Sequence, residues 1–132
     1  MDSVVAPETL QPRRTILVVE DEVLIRMVIC ESLRDEGYTV VEAIDGREAL
    51  KLLQTQSDIG LLITDVWMPG EMDGLALASS ARERWGGLNV LIVSGHAPAA
   101  EALAVADAFL HKPFRIDTLI AAVGKLNERL PK

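Results

Sequence analysis

The chain has 132 residues, 49% of them apolar and 25% charged, which is the profile of one globular domain able to bury a core and excludes a disordered chain. Its net charge of −7, from 20 acidic against 13 basic residues, argues against direct nucleic-acid binding, because phosphate contacts need clustered cations; a metal cation or a basic protein patch stays open as partner. The single cysteine, Cys30, excludes an internal disulfide, and the longest apolar runs, as at 102–106, are only five residues and predict no membrane span.

Residues 1–14 carry Pro7 and Pro12 and show no period, so they read as an N-terminal tail before a domain at 15–132. The opening Met1-Asp2-Ser3 lacks the basic-then-apolar texture of a secretory signal. With one cysteine, it sets the expectation of a reducing, cytoplasmic setting. Residues 16–19 are an aliphatic run, the first predicted strand. A helical stripe of Ile25, Val28, Ile29 and Leu33 follows over 23–36, with Cys30 as a small core residue and Gly37 as the stop. The second strand falls at 38–41. Asp45-Gly46-Arg47-Glu48 reads as a capping box opening a helix over 45–56, with Ala49, Leu50 and Leu53 inward. Strand three is predicted at 61–64 and an Ala-rich helix at 73–85. Strand four is predicted at 90–93 and a short helix at 97–106. Strand five is predicted at 108–110, and a last helix over 114–130 turns Ile116, Leu119, Ile120, Val123 and Leu126 inward.

Five strands alternating with five helices predict a (βα)5 doubly wound parallel sheet with right-handed crossovers. Such sheets bind ligands beyond the carboxyl ends of their strands. Those ends carry Glu20, Asp21 and Glu22 after strand one, Asp65 after strand three, Ser94 and Gly95 after strand four, and Lys112-Pro113 after strand five. Three carboxylates on one rim repel unless a cation joins them. An all-oxygen set suits a hard divalent ion, Mg2+ above all. Acids after strands also suit the first turns of helices. That accounts for Glu20 or Glu22 singly, but not for Asp65, which precedes Val66-Trp67-Met68-Pro69, nor for Lys112.

The ordered set Ile16-Leu17-Val18-Val19-Glu20-Asp21-Glu22, Thr64-Asp65-Val66-Trp67-Met68-Pro69-Gly70, Met72-Asp73-Gly74, Val93-Ser94-Gly95 and His111-Lys112-Pro113-Phe114 resembles the receiver domain of bacterial two-component response regulators. The resemblance implies a flavodoxin-like three-layer sandwich with strand order 2-1-3-4-5. It implies Asp65 as phosphoacceptor, Asp21 as a direct Mg2+ ligand, Glu20 as a second acid acting through water, and the backbone carbonyl of Trp67 as a further ligand. Ser94 takes the place of the switch hydroxyl, Phe109 of the switch aromatic, and Lys112 of the phosphate-binding lysine, with a cis Lys112-Pro113 bond. Trp67 and His96 stand where relatives tune phosphoryl loss, and a bulky Trp67 is expected to slow attack by water.

The chain also departs from the family pattern. Glu20 replaces a common Asp. The 70–74 loop has one extra residue, for which a bulge is expected. The 94–112 stretch is about four residues short, roughly one turn of the fourth helix, on the family's usual output face.

The expected function is that of a single-domain phosphoacceptor in a phosphorelay. It takes its phosphoryl group from a histidine kinase or histidine phosphotransfer protein and switches contacts with a downstream protein target. It is an enzyme only toward its own phosphorylation and dephosphorylation. The alternatives are a receiver excised from a larger response regulator or hybrid kinase, and a phosphorylation-independent binding module. An aspartyl-phosphate hydrolase is disfavoured, because Trp67 occupies the place of that class's second aspartate.

Overall fold

The computed structural model describes residues 15–95 and 99–128. The expected tail at 1–14, His96 and the last two positions of the expected fifth helix lie outside the described residues.

Strands and helices alternate strictly: β1 (Thr15–Val19), α1 (Val23–Asp35), β2 (Thr39–Ala43), α2 (Gly46–Thr55), β3 (Ile59–Thr64), α3 (Gly74–Arg84), β4 (Asn89–Ser94), α4 (Ala99–Val105), β5 (Ala108–His111) and α5 (Ile116–Glu128). Every strand pair is parallel and the order is β2-β1-β3-β4-β5. Side chains alternate between the two faces of a strand, so an unbroken apolar run feeds two cores. Leu17, Val19, Leu62 and Ile92 pack with Ala49, Leu53, Leu77 and Ala102 from α2, α3 and α4. Ile16, Val18, Ile63 and Leu91 pack with Ile29, Leu33, Leu119 and Val123 from α1 and α5. β1, β3 and β4 are buried along their whole length, whereas edge strand β2 alternates buried and exposed.

Local chemistry sets the boundaries. Gly37 adopts φ +97°, a conformation open to glycine at little cost. Its N–H donates to the Arg34 carbonyl at 2.9 Å and that of Tyr38 to Leu33 at 3.2 Å, the paired bonds of a Schellman stop. Tyr38, expected to open the second strand, is held by that stop instead, and β2 runs on to Ala43. Asp45 and Asp73 cap α2 and α3 by accepting from Glu48 N–H (2.9 Å) and Ala76 N–H (2.8 Å). The return bond of the expected capping box is displaced by one residue, since Glu48 accepts from Ile44 N–H rather than from Asp45. Residues 114 and 115 precede α5 rather than opening it.

Val28, expected to face inward, is 50% exposed. The spacing Ile25, Ile29, Leu33 faces the sheet, and Leu24 and Val28 lie on the flank of that stripe, against an open cleft. Cys30 is fully buried, as its apolar neighbours suggest.

Candidate functional site

Ladder-like hydrogen bonds continue one residue past three strands. Glu20 N–H donates to the Ala43 carbonyl (3.1 Å), Asp65 N–H to Val19 (3.2 Å) and Lys112 N–H to Ser94 (3.0 Å). The backbones of Glu20, Asp65 and Lys112 are therefore fixed by the sheet itself, on the one rim the strand order predicts.

The Lys112 ammonium lies between two buried carboxylates, donating to Glu20 Oε1 and to Asp65 Oδ2, each at 2.9 Å. Asp65 Oδ1 accepts from Val66 N–H at 2.6 Å and, at the long distance of 3.4 Å, from Trp67 N–H. Glu20 Oε2 accepts from Glu22 N–H (3.1 Å), and the Glu20 carbonyl accepts from the Arg26 guanidinium (2.8 Å). Burial pushes the Glu20 carboxyl above its usual range, and the Lys112 and Glu22 hydrogen bonds offset this only in part. For Lys112, burial pulls downward, but hydrogen bonds to Glu20 and Asp65 outweigh it and the net direction is up. The ammonium is thus held charged at neutral pH.

Glu20, Asp21 and Asp65 each offer an oxygen, all within 4.8 Å of one another. Oxygens on opposite sides of a Mg2+ ion are about 4.2 Å apart. The three carboxylates therefore fit one such ion with a slight closure or with one of them acting through water. Asp21 is exposed, whereas Glu20 and Asp65 are buried.

Sequence spacing alone does not account for Gly74. A Cβ there would collide with the Asp65 carbonyl oxygen. Gly74 N–H also donates to the Val66 carbonyl at 2.8 Å, so the β3–α3 loop folds directly onto the backbone of Asp65. Gly70 takes φ +100° within the loop expected to bulge. Gly95 is less demanding. A Cβ there would make ordinary contact with Lys112, at 3.6 Å, so no atom of the described residues requires glycine at that position. The Lys112–Pro113 peptide is cis, as the resemblance implies.

Ser94 is fully buried at the end of β4. The register pairs Ile92 with Phe109 and Ser94 with His111, which places Ser94 and Phe109 on the same face of the sheet. Phe109 is half-buried there against the α2–α4 core, edge-on to the His111 ring at 6.3 Å. α4 has seven residues, in keeping with the shortened stretch.

An open cleft of about 840 Å3 borders the carboxylates. One wall is polar: Glu20, Asp21, Asp65 and Lys112. The other is apolar, from Leu24, Ile25 and Val28 of α1 to Phe114 and Ile116, with Trp67 (63% exposed) at its edge. The apolar wall and Arg26 had no signal in the strand-end motifs. α1 residues that are only half covered are legible as such only once α5 is in place.

A family model described as the response regulator receiver domain matches residues 16–124. The transcriptional regulatory protein PdtaR of Mycobacterium tuberculosis is 44% identical over 116 residues, covering 85% of this chain and 55% of PdtaR. The sensor kinase CckA of Brucella abortus is 38% identical over 120 residues, covering 87% of this chain and 13% of CckA. The chain thus spans from about an eighth to about half of these curated relatives. Among solved structures, the response regulator TrrA of Thermotoga maritima, in complex with Mg2+-BeF, aligns with a TM-score of 0.78 at 34% identity, covering 86% of this chain and 98% of that one.

Proposed function

Because this chain belongs to the response regulator receiver domain family, we propose that Asp65 accepts a phosphoryl group from a phosphohistidine and that Glu20, Asp21 and the Trp67 carbonyl, with Asp65, hold the Mg2+ that the reaction needs. The observation carrying this is the Asp65–Lys112–Glu20 arrangement on the rim. It pairs a fixed, buried carboxylate nucleophile with a half-buried cation 2.9 Å away.

Bound Mg2+ supplies charge neutralisation for the transferring phosphoryl oxygens. The chain supplies the rest. The Val66 N–H fixes the plane of the Asp65 carboxylate through Oδ1. A carboxylate oxygen attacks phosphorus; the O–P bond forms as the P–N bond to the donor imidazole breaks, and the imidazole leaves with the electron pair and takes a proton. Lys112 follows the negative charge from carboxylate to phosphoryl oxygen. Ser94 reaches the phosphoryl group by turning its hydroxyl toward the rim, and Phe109, on the same face, changes position with it. This is a local charge change read by a two-state element. The chemistry acts only on the protein's own phosphorylation and dephosphorylation.

The donor is a histidine kinase or histidine phosphotransfer protein, and the output is a protein target. The apolar flank of α1, with Leu24 75% and Val28 50% exposed, borders the cleft and suits a helical donor surface more than a free small molecule. No helix among the described residues is long and apolar enough to cross a membrane, and we assign the protein to the cytoplasm. The unit carrying the activity is the domain from residue 15, with 1–14 as its tail.

Intact mass after incubation with a small acyl phosphate tests the assignment. One phosphoryl group is gained with Mg2+ and none without it, and the Asp65→Asn variant gains none. A wild-type gain that persists in Asp65→Asn would place the acceptor elsewhere.

A further inference from the structure

We propose that Arg26 is a positioning residue of the Mg2+ site: its guanidinium holds the Glu20–Asp21 peptide so that Asp21 stays with Glu20 and Asp65, and Glu42 of edge strand β2 holds the guanidinium. The inference rests on the assignment of Mg2+ to this cluster.

In a parallel ladder a strand residue turns its N–H and its C=O toward the same neighbour. Glu20 N–H donates to the carbonyl of Ala43, the last residue of β2. The Glu20 carbonyl therefore faces the place where β2 has already stopped, and the next donor along, Ile44 N–H, is taken by the Glu48 side chain. Glu20 is 2% exposed, and a buried carbonyl without a donor is costly. Arg26 supplies the donor, with Nη1 at 2.8 Å from that carbonyl. The peptide unit is planar, so fixing the carbonyl also fixes the direction in which the chain enters Asp21. Asp21 is the exposed member of the cluster, and its place beside Glu20 and Asp65 is set by its backbone more than by packing. The guanidinium is itself held. Its Nε donates to Glu42 Oε1 at 3.0 Å, and Glu42 Oε2 pairs with Arg34 at 3.2 Å. Arg34 donates in turn to the Val40 carbonyl at 2.9 Å. A chain of charged contacts thus runs from the β2 backbone to the loop that carries the cluster. The Arg26 side chain is 15% exposed against 36% for Glu42, so the contact nearest the cluster is the drier one. One rigid guanidinium plane meets both partners, in different directions, which the point charge of an ammonium does not reproduce.

Calorimetric titration of the unphosphorylated protein with MgCl2 tests this on wild type, Arg26→Lys, Arg26→Ala, Glu42→Gln and the double variant of the last two. Arg26→Ala is expected to weaken Mg2+ binding about tenfold, the low end for a residue that supports a metal ligand from behind. Arg26→Lys keeps the charge and loses the rigid plane, and is expected to weaken binding by a smaller factor. By charge alone Arg26→Ala would tighten binding, since it removes a cation close to the ion, so the sign of the change separates the two roles. Glu42→Gln is expected to weaken binding less than Arg26→Ala does, and to add nothing in the Arg26→Ala background, because it acts only through Arg26. The Mg2+ concentration that gives half the maximal rate of phosphorylation by a small acyl phosphate should rise by the same factors, with a smaller change in the maximal rate. A loss of stability alone would lower the number of binding sites and not their affinity. Binding unchanged in Arg26→Lys, or tightened in Arg26→Ala, overturns the positioning role. If wild type itself binds no Mg2+, the metal assignment fails and takes this inference with it, an outcome distinct from the first. Arg26→Lys carries the test if Arg26→Ala does not fold.

Discussion

Gly74 shows how one residue can serve both fold and site. Its missing side chain lets the α3 N-terminus close against the Asp65 carbonyl, and its N–H bonds to Val66. Gly74→Ala forces a backbone atom of the candidate acceptor to move. The expected cost is about 3 kcal/mol or more, at the severe end for a point change. Urea unfolding measures it, and a loss under about 1 kcal/mol would mean the loop relaxes freely. The same variant should accept phosphoryl more slowly, because Asp65 is displaced from Lys112. Trp67, by contrast, is largely exposed at the cleft edge.

At the scale of elements, the stops and caps do the work that periodicity cannot. α1 ends at the Schellman stop because Gly37 takes φ +97°, and the two bonds made there fix where β2 begins. Gly37→Ala introduces a Cβ with open space around it, so the penalty is conformational alone. It is expected to lower stability by about 1 kcal/mol, read as a shift in the urea midpoint with unchanged slope. A loss several times larger would show that the position is packed. Edge strands β2 and β5 are shorter or less buried than the central three. Since β5 delivers Lys112, its placement relies on pairing with β4 and on the Lys112–Ser94 backbone bond.

The whole molecule has a characteristic response to alkali. Cys30 lies buried between α1 and the sheet, and burial raises its thiol to about 11, with Glu42 adding to the effect. An acid raised in the folded state releases its proton first from the unfolded chain. Stability therefore falls as pH climbs from about 9 toward 11. Lys112 acts in the same sense at higher pH. Its raised folded value gives stability fully present below its usual range and lost as pH rises through the folded value. Unfolding by urea between pH 8 and 11 should show a steady decline, and Cys30→Ala should flatten the portion between pH 9 and 11. An unchanged slope in Cys30→Ala would mean the thiol ionises as easily folded as unfolded. Glu20 is also raised by burial, so its share of stability is lost as pH rises past the usual carboxylate range, opposite to the common behaviour of paired acids.

Much of this protein can be read from its residues in order. Three unbroken aliphatic runs read as strands covered on both faces, and five strand runs separated by helical stripes leave few topologies. Parallel strands put all their carboxyl ends on one rim, so Glu20, Asp21, Asp65, Ser94 and Lys112 could be grouped by position alone. The sequence does not reveal contacts set by side-chain reach and by neighbours distant along the chain. Lys112 meets Glu20 across 92 positions, and only the closed sheet brings the two charges together. Gly74 meets the Asp65 backbone only when the loop folds, and Val28 lies on the open cleft rather than under the core. Periodicity and capping are local, and one residue's neighbours along the chain suffice to state them. Burial, ion pairing and close approach are properties of distances, and those exist only after the layers have packed.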